Sequence, residues 1–298
     1  MKLIVFPEDG LNPVITAIKQ ARSTIDTTIF RCDRPEVEKA LAAAVGRGVR
    51  VRALVAHTNR GGERRLRKLE QTLLAAGVTT SRTGDDLVRY HGKMLIVDGR
   101  TLYVALFNYT ALDTKSRTFG VATRQRAFVC EAQRLFEADV TRQPYTTSTP
   151  GLVVSPENAR KQLSEFIGKA KRELWIYDPK VSDGPMIRLL EERAKKGVDI
   201  RIIGSLGARA KQFHAEKLKG MRLHARVIIR DGRHAFLGSQ SLRGLELDSR
   251  REVGIIVRDL RIVKKLRDTF ERDWSTTSGA RQAEGEVQED RQEEPVTA

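Results

Sequence analysis

Two stretches of this chain share one pattern of residues, and this repetition restricts the folds that the chain can adopt. The first stretch runs from Tyr90 to Asn108 and the second from Leu223 to Ser241. Each has a histidine, a cation two positions later, an apolar run and then Asp-Gly, as in YHGKMLIVDG and LHARVIIRDG. An apolar run that ends in Asp-Gly predicts a buried strand leading into a hairpin. Because side chains alternate along a strand, each histidine is expected on the same face as its cation.

The segments around these stretches repeat as well. Gly197 follows Gly48 by 149 positions and opens a similar strand, whereas His224 follows His91 by 133 positions. The first half therefore carries 16 extra residues, which fall in the connection from Thr58 to Arg89. Such self-similarity predicts an internal duplication. Because strands alternate with helices in both halves, we expect an α/β fold of two pseudo-symmetric domains, each a mixed sheet flanked by helices.

A polar segment bounded by prolines, from Gln143 to Pro150, is the best candidate for a linker between the domains. We therefore predict a first domain over residues 1–145 and a second domain over residues 150–274. Residues 275–298 lack apolar periodicity and are rich in Glu and Gln. This composition predicts a disordered tail.

The charge of the chain indicates a partner rich in phosphate. The formal net charge is +16, and residues from 275 onward contribute two arginines and six carboxylates, so residues 1–274 carry +20. A body this basic is expected to bind nucleic acid or the anionic lipids of a membrane surface. The sequence shows no apolar run long enough for a transmembrane segment and no secretory signal. We therefore predict a cytoplasmic protein, or one bound peripherally to a membrane.

Two histidines, each beside a cation, can support phosphodiester chemistry if the duplication brings them together. One imidazole can attack phosphorus while the other transfers protons. Lys93 and Arg226 would neutralise the non-bridging oxygens of the phosphate. The sequence shows no carboxylate cluster for a metal, so we expect neither a metal nor another cofactor. The predicted reaction is cleavage of a phosphodiester through a covalent phosphohistidine.

The doubled motif resembles the signature of the phospholipase D superfamily, His-x-Lys-x4-Asp-x6-Gly-Ser-x-Asn in two copies. The residues that carry the resemblance are His91, Lys93, Asp98 and Asn108 in the first copy and His224, Asp231, Gly238 and Ser239 in the second. The resemblance implies two phospholipase D-like domains with one active site at their interface. It also implies that His91 is the nucleophile and that His224 is the general acid and then the base toward water.

On this basis we expect two sets of functional residues. The catalytic set is His91, Lys93, Asp98, His224, Arg226 and Asp231, and the binding or orienting set is Asn108, Ser239, Ser241 and Glu252. The roles of Asp98 and Asp231 stay open, because a hairpin turn alone would explain Asp-Gly at both places.

Several positions depart from the family pattern. Arg226 replaces a lysine, and Ser241 replaces the asparagine of the second copy.

Glu252 matches the family's carboxylate that holds the other nitrogen of a histidine. The corresponding position in the first half is Thr118, so the orienting partner of His91 is unassigned, with Asp113 as a candidate.

The wider sequence looks most like bacterial phospholipase D and enzymes of the cardiolipin synthase type. The expected function is hydrolysis or transfer of the phosphatidyl group of a phospholipid at a membrane surface. A nuclease with the same site is the first alternative, and an inactive phosphate- or membrane-binding homologue is the second. Because one chain holds both motifs, a monomer is expected to complete the site.

Overall fold

The computed structural model describes residues 1–59, 61–208, 210 and 212–277. Most of the predicted disordered tail, from residue 278 onward, therefore lies outside the described residues.

Each half consists of strands that alternate with helices, as the sequence predicts. The first half contains β1 (Lys2–Phe6), α1 (Asn12–Gln20), β2 (Thr24–Ile29), α2 (Pro35–Gly46), β3 (Arg50–Val55), α3 (Glu63–Ala75), β4 (Thr79–Arg82), β5 (Arg89–Tyr90), β6 (Met94–Val97), β7 (Thr101–Ala105), a 3-10 turn (Asp113–Lys115), β8 (Ser116–Thr123) and α4 (Arg126–Thr141). The second half contains β9 (Leu152–Ser155), α5 (Ala159–Gly168), β10 (Glu173–Val181), α6 (Gly184–Lys195), β11 (Asp199–Leu206), β12 (Ala215–Glu216), β13 (Arg222–Leu223), β14 (Val227–Arg230), β15 (His234–Gly238), α7 (Gly244–Asp248), β16 (Arg250–Val257) and α8 (Leu260–Trp274).

The strands form two mixed sheets. In the first sheet the order is β1-β8-β7-β6-β2-β3-β4, with β2, β3 and β4 parallel and β6, β7 and β8 antiparallel. In the second sheet the order is β12-β11-β10-β14-β15-β16, and β9 pairs with β16. The two hairpins predicted from the doubled motif are β6–β7 and β14–β15. The predicted two-domain mixed α/β architecture is confirmed.

A hydrophobic core that both halves share joins the two sheets. It contains Val121 and Phe136 from the first half together with Val253 and Phe270 from the second. Burial of apolar surface in one common core stabilises the arrangement of the halves relative to each other. The segment predicted as a linker is also packed: the hydroxyl of Tyr145 donates to Glu131 of α4 at 2.6 Å.

The halves also exchange short strands. β5 pairs in parallel with β16 of the second sheet, and β13 pairs in parallel with β8 of the first sheet. β5 ends at Tyr90, immediately before His91, and β13 ends at Leu223, immediately before His224. Each motif histidine is therefore positioned by the sheet of the opposite half.

The Asp-Gly turns lie at the other end of the motif strands. Asp98 and Asp231 both have a φ of 53°, and the glycine after each also has a positive φ. Oδ1 of Asp98 accepts hydrogen bonds from the backbone N–H groups of Ser23 and Thr24 at 2.7 and 3.1 Å. Asp231 accepts in the same way from backbone N–H groups of residues 171–173. Each aspartate thus ties its hairpin to the start of a neighbouring strand.

We predict that Asp98→Ala lowers the free energy of unfolding by about 1–3 kcal/mol, because backbone donors lose their acceptor and alanine disfavours a positive φ. Asp98→Asn should lose less, since asparagine tolerates this φ and keeps one acceptor oxygen. Urea unfolding of both variants measures the difference. A catalytic role would instead appear as lost activity at unchanged stability, and that result would contradict the structural role.

Candidate active site at the interface of the two halves

The backbone of each motif histidine is bound to a long strand of the opposite half. The N–H of His91 donates to the carbonyl of Arg251 in β16 at 2.7 Å. The N–H of His224 donates to the carbonyl of Arg117 in β8 at 2.9 Å. Both imidazoles are buried, and their side chains lie at the interface between the halves.

The two histidines take their carboxylate partners from the opposite halves as well. Nδ1 of His91 lies 2.8 Å from Oε2 of Glu252, and Nδ1 of His224 lies 2.7 Å from Oδ1 of Asp113. The sequence pattern led us to expect Glu252 to serve the histidine of its own half, with Asp113 as a candidate for His91. That expectation is wrong, because each carboxylate contacts the histidine of the opposite half. Glu252 pairs with His91, and Asp113 pairs with His224.

The ammonium of Lys93 lies against the imidazole of His91 and is within 3.3 Å of both ring nitrogens. Its Nζ is 3.1 Å from Nε2 of His91 and donates to the carbonyl oxygen of His91 at 2.7 Å. The ring of Phe30 packs edge-on against the imidazole, with 4.5 Å between centroids, and lies 5.4 Å from the Lys93 ammonium. His91 and Lys93 precede β6 rather than lying in it, yet both side chains meet at the site.

Arg226 takes the equivalent position in the second half. Its Nη1 donates to the carbonyl of His224 at 3.0 Å, and its Nε donates to Oγ of Ser241 at 3.2 Å. Nε also lies 3.8 Å from Oε2 of Glu246, a buried carboxylate that sequence reasoning missed. The same Oε2 accepts the N–H of Ser241 at 2.7 Å. Glu246 and Asp113 follow their motif histidines by the same 22 positions, which is the signal that could have identified Glu246.

The residues predicted to bind or orient differ in their contacts. Nδ2 of Asn108 donates to Oδ2 of Asp113 at 2.8 Å, and its Oδ1 is buried without a hydrogen-bond partner among the described residues. Oγ of Ser239 accepts the N–H of Val253 at 3.1 Å, next to Glu252 on β16. Asn108 thus positions the carboxylate of His224, and Ser239 supports the strand that carries the carboxylate of His91.

Asp98 and Asp231 do not belong to this cluster. Asp98 follows Lys93 by five positions along a strand, which corresponds to about 16 Å. Its carboxylate is occupied by backbone N–H groups of residues 22–24, and the carboxylate of Asp231 by those of residues 171–173. These hydrogen bonds fit the hairpin-turn role that the sequence left open for both aspartates, and a catalytic role for either stays an untested prediction.

Burial dominates the titration of the histidines and of Lys93. It lowers the pKa of His91 well below its ordinary value, and the charges of Lys93 and Arg226 lower it further. Burial lowers the pKa of His224 to about 4 against the opposing effect of Asp113. Burial also lowers the pKa of Lys93 to about 7, although the Glu252 carboxylate favours the charged ammonium.

The two carboxylates differ in how firmly they stay ionised. Burial alone would raise the pKa of Asp113, but its contact with His224 and the hydrogen bonds from Asn108 hold that pKa well below its usual range. Burial raises the pKa of Glu252 in spite of the nearby Lys93 ammonium. His224 therefore has the partner that is better suited to stabilise an imidazolium.

A duplicated arrangement of buried ion pairs underlies the two histidines. Arg117, whose carbonyl binds His224, pairs through its guanidinium with Asp273 at 2.7 Å and with Glu8 at 2.8 Å. Arg251, whose carbonyl binds His91, pairs in the same way with Asp139 and Glu157. In each set one carboxylate comes from the same half as the arginine and the other from the opposite half. These ion pairs fix the strands that hold both histidines.

The duplicated α/β fold with two histidine–cation pairs at one interface is typical of phosphodiesterases and phosphotransferases of the phospholipase D type. The family described as "Cardiolipin synthase, PLD-like domain" matches residues 14–140 and 163–274. The chain belongs to the phospholipase D superfamily.

Three known proteins are similar to the chain in sequence or fold. Polyphosphate kinase from Porphyromonas gingivalis aligns with a TM-score of 0.76 and 18% identity over 91% of this chain and 46% of the kinase. Phosphatidylserine synthase from Haemophilus influenzae aligns with a TM-score of 0.69 and 9% identity over 91% of this chain and 86% of the synthase. The 5'-3' exonuclease PLD4 of Mus musculus is 29% identical over 82 residues, which is 27% of this chain and 16% of the exonuclease.

Within residues 1–59, 61–208, 210 and 212–277, no group of three or more His, Cys, Asp or Glu side chains could hold a metal ion. Over the same ranges, no helix has the length and apolar character needed to cross a membrane.

We predict that Glu252→Gln moves the pKa of Lys93 below its value of about 7. The Glu252 carboxylate stabilises the charged ammonium, and glutamine removes this stabilisation. Lysine-labelled protein titrated by NMR reports this pKa, and Lys93→Arg identifies the signal. The remote variant Asp98→Asn serves as the control and should leave the pKa unchanged. An unchanged or raised pKa in Glu252→Gln would show that Glu252 does not interact with Lys93.

Proposed function

We propose that the protein is a phosphodiesterase of the phospholipase D type that acts on phospholipids through a phosphohistidine. The observation that supports this most directly is the crossed pair of buried histidines, each with its Nδ1 within 2.8 Å of a carboxylate of the opposite half. A carboxylate on Nδ1 keeps the proton there and leaves Nε2 with a free lone pair. Two such imidazoles beside two cations provide a nucleophile, a proton carrier and charge for a phosphate.

His91 is the proposed nucleophile. Its pKa lies well below the ordinary value, so the imidazole is neutral near pH 7. The ammonium of Lys93, at 3.1 Å from Nε2, is placed to bind a non-bridging oxygen of the phosphate that approaches this nitrogen. Arg226 supplies the second cation from the opposite half.

His224 is the proposed general acid and base. Burial lowers the pKa of His224 to about 4, and the ionised Asp113 opposes this shift. A bound phosphodiester anion adds negative charge that also favours the protonated form required by the first step. In the first step Nε2 of His91 bonds to phosphorus, the bond from phosphorus to the leaving oxygen breaks, and His224 gives that oxygen its proton. In the second step His224 takes a proton from water or an alcohol, whose oxygen attacks phosphorus and releases His91.

Two observations favour a phospholipid over a nucleic acid. The matching family is described as cardiolipin synthase-like over most of the chain, whereas the exonuclease relative aligns over 82 residues. Recognition of single strands commonly uses exposed aromatic rings on which bases stack. In the described part of the chain, all exposed large hydrophobic side chains are aliphatic. Because one chain supplies both halves, a single chain can complete the site.

The nuclease is retained as the second candidate, because a charge of +16 suits nucleic acid as well as an anionic membrane. Phosphodiester turnover by the purified protein is therefore measured on phosphatidylglycerol vesicles and on single- and double-stranded DNA. We expect vesicle turnover that falls at least about 10³-fold in His91→Ala. We also expect a phosphorylated histidine, trapped by rapid alkaline quench, that His91→Ala abolishes. His57→Ala replaces an exposed histidine two residues after the end of β3; it is the matched control and should retain wild-type turnover.

The outcomes separate the alternatives. Cleavage of DNA without lipid turnover would identify the nuclease and overturn the proposed substrate. Absence of both activities and of the phosphorylated histidine would identify an inactive binding homologue. Full activity of His91→Ala would contradict the mechanism itself.

A further inference from the structure

Exposed large apolar side chains are concentrated near the site. Among the described residues there are five such side chains, and three of them, Val88, Leu112 and Leu245, lie within three residues of a site histidine or carboxylate. The other two, Leu74 and Leu260, lie on α3 and at the start of α8. We name Val88, Leu112 and Leu245 the apolar rim.

The two leucines of the rim are related by the internal duplication. Leu112 immediately precedes Asp113, which contacts His224, and Leu245 immediately precedes Glu246, which lies beside Arg226. Consecutive Cα atoms are about 3.8 Å apart, so each leucine lies next to a carboxylate of the site. In both halves the carboxylate is buried and the leucine before it points into solvent. An exposed leucine at both related positions requires an explanation other than core packing.

Val88 lies close to the second of these leucines. Its N–H donates to the carbonyl of Ser249 at 3.1 Å, and the N–H of Ser249 donates back to the carbonyl of Leu245 at 3.3 Å. Val88 also lies three residues before His91. The rim thus includes segments from both halves around one interface.

Cations accompany the rim. The side chain of Arg222 is 41% exposed while it contacts Asp113, and the side chain of Arg243 is 37% exposed while it contacts Glu246. Lys115, three residues after Leu112, is exposed as well. Each leucine therefore has at least one exposed cation beside it.

We propose that the apolar rim docks the protein onto a bilayer of anionic phospholipid, with the aliphatic side chains at the boundary of the acyl chains and the cations against lipid phosphates. Isolated aliphatic side chains flanked by cations suit this surface, because burial of apolar area and attraction to anionic lipid both contribute to interfacial binding. A protein partner would favour a rim with aromatic or methionine side chains. Docking would place lipid phosphates next to the buried histidines, so this inference rests on the proposed phospholipid substrate.

Binding is tested without turnover, in full-length protein that carries His91→Ala. We expect the added pair Leu112→Ser and Leu245→Ser to weaken binding to phosphatidylglycerol vesicles by about tenfold or more in a flotation assay. The matched pair Leu74→Ser and Leu260→Ser replaces leucines of equal or greater exposure. Leu260 follows Val257, the end of β16 that lies about 16 Å from Glu252, so Leu260 is remote from this carboxylate of the site.

The control pair should bind vesicles as the parent protein does, and the pair Leu112→Met and Leu245→Met should retain most of the affinity. Thermal unfolding of each variant verifies that it is folded. Unchanged vesicle affinity in the serine pair, or an equal loss in the control pair, would contradict docking through the apolar rim. If the serine pair lost affinity for single-stranded DNA but kept its affinity for vesicles, the surface would be assigned to nucleic acid. That result would also contradict docking onto a bilayer.

This test is separable from that of the proposed function. A wild-type protein that binds vesicles through the rim but turns over no phospholipid would reject the substrate and keep the docking surface. Vesicle turnover by the wild type, together with unchanged vesicle affinity of the serine pair, would keep the function and reject the rim.

Discussion

The exchange of two short strands between the halves is the constraint on which the candidate site depends. Because β5 pairs with β16 and β13 pairs with β8, the backbone of each histidine is held by the sheet that it does not belong to. The same long strands, or the turn just before them, supply the carboxylate that binds Nδ1 of that histidine. Neither half alone can therefore position its own histidine, and formation of the site requires the interface.

The buried arginines explain how this interface tolerates so much charge. Arg117 and Arg251 each lose hydration, which is costly, but each is paired with two carboxylates, one of them from the opposite half. Separation of the halves would remove one of the two carboxylates from each buried guanidinium, so the pairs favour one arrangement of the halves. The same strands carry the carbonyl oxygens that bind the histidines. Packing, ion pairing and histidine position are thus coupled.

Local patterns in the sequence were sufficient to predict the hairpins, the duplication and the pairing of His91 with Lys93. These features depend on residues a few positions apart. Local patterns do not predict the carboxylate partners of the histidines, because Glu252 is 161 positions from His91. The family pattern assigned Glu252 to the histidine of its own half. Asp98 was ambiguous for a different reason: Asp-Gly fits a turn and a catalytic motif equally well, and only the hydrogen bonds of its carboxylate distinguish them.

The central claim is that the histidines and carboxylates pair across the halves, and the tautomers of the histidines test it most directly. Protein labelled with ¹⁵N-histidine is observed by NMR near pH 7, and the ring nitrogen shifts report which nitrogen carries the proton. Pairing across the halves predicts a proton on Nδ1 of His91 whose signal changes in Glu252→Gln, whereas Asp113→Asn changes the signal of His224. The opposite response, with each histidine sensitive to the carboxylate of its own half, would contradict the crossed site.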